Sequence, residues 1–190
     1  MKTLIRLIPF LLIGFTLCTT ALAIEKPNID LYQGTLNGRA FYTLTMKDIL
    51  TLLGKPSHQS KETAGGIVST EIVYQDLGLM AQVTSDMNTC RILLIDTTGK
   101  ALDEWATHNK VTNMKGKKYS GSISPNIDGT WKLQSVMAQF KDTKQAVNER
   151  DKSGTVEFKN HSIIFLFDNE TELLGGITLI SNTPIKYNFR

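Results

Sequence analysis

Two segments of this chain carry the same four apolar positions at helical spacing. Met46, Ile49, Leu50 and Leu53 fall at i, i+3, i+4 and i+7, one face of a helix. Leu133, Val136, Met137 and Phe140 repeat that spacing 87 positions later. Tyr32-Gln33-Gly34-Thr35-Leu36 stands in the same relation to Tyr119-Ser120-Gly121-Ser122-Ile123. Self-similarity over a whole supersecondary unit points to a repeated module. The sequence therefore predicts two tandem copies, residues 24–98 and 117–190, joined by a connector over 99–116.

The first copy begins with strand-like segments over 31–36 and 39–44, joined by Asn37-Gly38, a dipeptide that supplies the positive φ angles of a tight hairpin turn. Thr45 then caps a helix, with Asp48 three residues on to close a capping box. Gly54, followed by Lys55-Pro56, stops that helix. Three strands follow, over 69–75, 79–84 and 90–96. The second copy is spelled more loosely, with strand segments 119–123 and 129–133, a helix over 132–141, and strands over 155–159, 162–168 and 173–180. The expected class is α+β: two tandem copies of a β-hairpin, a helix and a three-stranded antiparallel meander, with the helix packed on one sheet face. The opposite face of each sheet is left uncovered, which makes it the surface of interest.

The N-terminus reads as a secretory signal. Lys2 and Arg6 precede an apolar run over 7–17, and Ala21-Leu22-Ala23 gives a small-x-small exit. The reading is a signal peptide over 1–23, cleaved after Ala23 and leading to the periplasm, with an uncleaved anchor as the alternative. The run is shorter than the roughly 20 residues a spanning helix needs, so no stable membrane insertion is expected after cleavage. Without Lys2 and Arg6 the formal charge falls from +3 to +1, which argues against a nucleic-acid partner. Cys90 is then the single cysteine, set in the strand-like Cys90-Arg91-Ile92-Leu93-Leu94-Ile95, and is either buried or paired between chains.

No nucleophile elbow, zinc-binding helix motif or phosphate-cradling glycine loop is present. His58, His108 and His161 lie in separate turns without ligand spacing and read as turn or surface residues. The sequence thus predicts no enzyme, no metal and no cofactor. The candidate binding residues are Tyr74, Trp105, Lys115, Lys117, Lys118 and Tyr119, since aromatic and cationic side chains together are typical of a binding hot spot. For Trp105 and Tyr74 the alternative is plain packing, and for the lysines a solvated connector.

The helix and its exit, Thr45-Met46-Lys47-Asp48-Ile49-Leu50-Thr51-Leu52-Leu53-Gly54-Lys55-Pro56, with the strand and turn Ile72-Val73-Tyr74-Gln75-Asp76-Leu77-Gly78-Leu79, resemble small exported helix-plus-sheet modules. These are the tandem-repeat secreted β-lactamase inhibitor proteins, the small lipoprotein of the outer-membrane barrel-assembly machine, and periplasmic toxin-immunity proteins. The resemblance implies a periplasmic or secreted inhibitor or immunity protein that binds another protein, a toxin or secreted enzyme. The alternative it implies is an accessory component of envelope assembly. The sequence departs from the lipoprotein pattern at Leu17, which precedes Cys18, and the second copy lacks the Gly-Lys-Pro exit.

Overall fold

The computed structural model describes residues 26–64 and 66–184. The expected signal segment and the tail 185–190 lie outside the described residues. In chain order the elements are β1 (Asn28–Asp30), β2 (Thr35–Leu36), β3 (Arg39–Ala40), α1 (Met46–Leu53), β4 (His58–Ala64), β5 (Ile67–Tyr74), β6 (Leu79–Thr84) and β7 (Thr89–Asp96). Then come α2 (Lys100–His108), β8 (Ser122–Ser124), α3 (Leu133–Gln139), β9 (Lys144–Asn148), β10 (Ser153–Glu157), β11 (His161–Phe167) and β12 (Leu174–Ser181).

The strands form two sheets. One has eight antiparallel strands in the order β4-β5-β6-β7-β12-β11-β10-β9, and the other has four in the order β3-β2-β1-β8. This corrects the expected fold. The described residues hold twelve strands in two shared sheets with three α-helices, rather than two tandem hairpin–helix–meander copies.

The physical reason lies in β7 and β12, which were expected to edge separate meanders. Ile92, Leu93, Leu94 and Ile95 put apolar side chains on both faces of β7, and Ile177, Leu179 and Ile180 do the same on β12. Strands apolar on both faces belong in a sheet centre. They pair with each other in the register Ile180↔Ile92 to Gly176↔Asp96, making one continuous layer. The edges fall instead to the polar segments β4 and β9, and polar or charged strands are what exposed edges tolerate.

The second hairpin is also absent. Ser122–Ser124 runs parallel to β1 instead. Around 129–133 the ladder is reduced to a single bridge, Lys132↔Leu173. The small sheet therefore draws its strands from both halves of the chain.

Local chemistry explains α1. Thr45 Oγ1 accepts the Asp48 amide at 3.2 Å, and Asp48 Oδ2 accepts the Thr45 amide at 2.9 Å, so two otherwise orphaned donors are satisfied reciprocally. The Thr45 hydroxyl, then the Thr45 amide, then the Arg39 guanidinium at 2.8 Å hold the Asp48 carboxyl well below the usual range. At the other end Gly54 takes φ 78° and donates to Leu50 O. Of the apolar stripe, Ile49 and Leu53 are buried, whereas Leu50 is among the exposed large hydrophobics. Replacing Thr45 with alanine is expected to cost about 1 kcal/mol, the typical worth of an N-cap, read as a lowered urea midpoint with an unchanged slope. α3 starts at Lys132 with no side-chain cap, and docking of Val136 and Met137 holds it in place.

The main core lies between the large sheet and the layer formed by α1, α3 and the small sheet. It contains Ile29, Leu31, Phe41, Leu93, Ile95, Phe140, Ile163, Phe165, Ile177 and Leu179. That packing fixes which face of the large sheet looks outward.

Candidate binding face of the large sheet

Alternate strand residues point to opposite faces. On β11, His161, Ile163, Phe165 and Phe167 are buried, so Ser162, Ile164 and Leu166 look outward. On β12 the outward set is Gly176, Thr178 and Ile180, and on β7 it is Ile92 and Leu94. Register places these side chains in rows across the strands. Gln82, Ile92, Ile180, Ser162 and Glu157 form one row. Met80, Leu94, Thr178, Ile164 and Thr155 form the next. Directly opposed side chains in such rows have Cβ atoms about 5 Å apart and diagonal neighbours about 7–8 Å; Ile92 opposes Ile180, and Ile164 and Leu166 continue the same face diagonally, opposite Thr178 and Gly176. Leu166 is 41% exposed.

Among the described residues, only one end of this face is covered. α2 crosses β7 and β12 there and reaches toward β5 and β6, where Val73, Met80 and Leu102 form a second buried cluster with Leu94, Trp105 and Met114 packed against it. Asp96 sets the angle of α2. Its carboxylate accepts the amides of Thr98 at 3.0 Å, Gly99 at 2.6 Å and Leu102 at 2.8 Å, although the N-cap position itself is a glycine with no side chain to offer. The free side of α2 forms a cleft wall with Ala101 and Glu104, facing Leu166 and Gly176.

Among the described residues, the centre of the face carries no charge; the charges sit at its margins. Glu157 pairs with Lys144 at 2.6 Å. Lys100 pairs with Asp168 at 2.8 Å, and that ammonium, followed by the Thr171 amide and hydroxyl, holds the Asp168 carboxyl well below the usual range. An apolar centre with a polar rim is the anatomy of a protein interface.

The six residues chosen from sequence do not form one patch. Tyr74 and Tyr119 are buried, at 3% and 7% exposure, and their hydroxyls donate to Gly54 O at 3.1 Å and Pro27 O at 2.6 Å. Burial pushes the Tyr74 phenol up to about 12 and the Tyr119 phenol higher still. Trp105 is half-buried on α2, with its ring edge against His58 at 5.7 Å. Lys115, Lys117 and Lys118 are exposed, and Lys117 is paired with Asp76 at 2.5 Å.

His161 is not a surface histidine but is 2% exposed. Cys90 is buried; desolvation pushes its thiol up to about 12, and the thiol donates to Ile92 O at 3.2 Å. Among the described residues no group of three or more His, Cys, Asp or Glu is placed to hold a metal ion, and no helix is long and apolar enough to cross a membrane.

The residues missed from sequence are Ile92, Ile164, Leu166 and Ile180. Their signal was the failure of strict alternation: His161-Ser162-Ile163-Ile164-Phe165-Leu166-Phe167 has apolar side chains on both faces, more than a half-solvated strand requires.

No family model matches the sequence, and no curated protein matches it significantly. Among solved structures, the chain is similar to an extracellular protein containing an SCP domain from Bacillus anthracis, with a TM-score of 0.47 and 13% identity over 75% of this chain and 44% of that one. It is also similar to a cysteine-rich secretory protein from Staphylococcus aureus, with a TM-score of 0.39 and 7% identity over 75% of this chain and 45% of that one. The chain thus spans less than half the length of either protein. Neither is a β-lactamase inhibitor, barrel-assembly or toxin-immunity module, so the expected resemblance and its immunity reading are corrected, and the shared eight-stranded sheet removes the tandem-repeat reading. Extracellular placement and the SCP domain belong to the Bacillus anthracis protein, and the secretory character to the Staphylococcus aureus one.

Proposed function

We propose that this protein is an exported, non-enzymatic protein-binding module whose binding surface is the outward face of the eight-stranded sheet. The observation that carries the reading is the uncharged apolar surface of Ile92, Ile164, Leu166 and Ile180, spread over three adjacent central strands and partly exposed. A sheet face normally alternates apolar inside with polar outside. Contiguous apolar surface with a polar rim marks an interaction site. The basic start, apolar run and Ala21-Leu22-Ala23 exit support export. The partner is another exported protein, held by aliphatic contacts rather than by charge.

The test is affinity for a partner recovered by crosslinking in the producing cell and then purified. Leu166→Glu places a carboxylate in the middle of the contact and is expected to weaken binding about 30-fold or more, the scale of a hot spot of about 2 kcal/mol. Because Leu166 is already 41% exposed, its unfolding midpoint should barely move. Lys117→Ala, away from this face, should change affinity by no more than about twofold, as for exposed ion pairs. Equal affinity of the wild type and Leu166→Glu would remove the face from the proposal.

A further inference from the structure

His161 sits at the seam between the two sheets. Its ring stacks on Phe158 at 4.7 Å and 9°, lies parallel to Tyr42 at 6.4 Å and 19°, and meets Phe41 edge-on at 6.1 Å and 89°. Nε2 is 2.9 Å from Leu31 O. A carbonyl only accepts, so Nε2 carries the proton and Nδ1 is the bare nitrogen of a neutral imidazole. Nδ1 faces Gly34 so closely that a Cβ there would stand 2.8 Å from it. The second nitrogen therefore has neither space for a counter-ion nor an easy path to water.

Leu31, Gly34, Phe41 and Tyr42 belong to the segment that carries β2 and β3, whereas His161 opens β11 of the large sheet and Phe158 lies in the turn that leads into it. The imidazole thus pins one sheet to the other. One neighbouring bond helps it: Asn160 Nδ2 donates to the Tyr42 hydroxyl at 3.2 Å.

We propose that His161 is a proton-operated latch: uptake of one proton at mildly acidic pH releases residues 31–44 from β11 while the eight-stranded sheet stays folded. Protonation would place a charge among Phe41, Tyr42 and Phe158 and put a second N–H against Gly34. Among the described residues, the titratable groups around the ring are the Tyr42 phenol and, from β1, the Asp30 carboxylate. Burial depresses the proton affinity of the ring, and this outweighs both the hydrogen bond to Leu31 and the attraction of Asp30.

The sign follows from linkage. A released ring regains an ordinary pKa of about 6.5, so the open state binds more protons than the closed one just below that pH. The latch is then fully closed above about pH 7. It loosens as pH falls through 6.5, by at most about tenfold per pH unit for a single proton.

Hydrogen exchange tests this, with intrinsic rates corrected for pH. The reporter is the Cys90 amide, which donates from β7 to Leu44 O of the docked segment at 2.7 Å. Its protection should fall several-fold between pH 6.5 and 5.5, while amides of β11 and β12 keep theirs. His161→Phe retains the stack without the titrating nitrogen and should abolish the pH dependence. If that variant does not fold, proton NMR of the His161 ring in the wild type decides, since its titration midpoint must lie below 6.5 and its occupancy must track the loss of protection. Protection independent of pH, parallel loss in both sheets, or the same slope in His161→Phe would overturn the latch.

Discussion

Replacing Asp96 with alanine is expected to remove about 3 kcal/mol of stability and to detach α2 from the large sheet. Asp96 is fully buried. Its two oxygens gather the amides of Thr98, Gly99 and Leu102, which turn the chain out of β7 and start the helix. Alanine strands all three donors. Each buried, unsatisfied amide costs about 1–3 kcal/mol, with the lower figure applying where water can enter. Lost capping alone accounts for about 1 kcal/mol.

The loss would be a large part of a typical total of about 5–15 kcal/mol. Asp96→Asn keeps one accepting oxygen but turns an amide toward a backbone N–H, so it should fall between the two. Urea unfolding gives the energies. Trp105 fluorescence reports the detachment, since its half-buried ring becomes solvated when α2 leaves Val73 and Met80. A loss below about 0.5 kcal/mol in Asp96→Ala would show that solvent replaces the carboxylate without penalty.

What could be read in the sequence was settled within a few residues. Thr45, Asp48 and Gly54 define α1 through contacts no further than four positions along the chain, and Asn37 and Gly38 take φ of 51° and 74° because the turn demands it. The rest depended on distant partners. Whether β7 is an edge or a centre is decided by β12, some 80 residues later, and no local pattern encodes that register. His161 looks like a turn residue until Tyr42, far away in sequence, closes over it. α2 has no capping residue next to it, because its cap is contributed by Asp96 from the end of a strand. The outward apolar face was legible as a possibility, an uncovered sheet side. Its residues were not, because they appear only once the two halves join.

Two substitutions separate Tyr119 as an anchor from Tyr119 as a contact residue. Tyr119→Ala is expected to cost about 3–4 kcal/mol, as for large buried aromatics, and Tyr119→Phe about 1 kcal/mol, the worth of one hydrogen bond. The phenylalanine variant keeps the packing and loses the 2.6 Å bond to Pro27 O, which still accepts from the Ser122 amide at 3.1 Å. The ring also marks where the chain returns from the connector: the Tyr119 amide donates to Asp96 O, joining the capping site of α2 to the entry of the small sheet. Gly121 passes so close that a Cβ there would collide with Pro27 O and the Tyr119 hydroxyl, so the hydroxyl has little freedom to find another acceptor. A surface contact residue behaves differently: both substitutions would leave stability within about 0.5 kcal/mol and weaken only partner binding. Urea unfolding of the two variants therefore distinguishes the roles, and losses in the ratio of a lost ring to a lost hydrogen bond place Tyr119 in the scaffold beneath the binding face rather than on it.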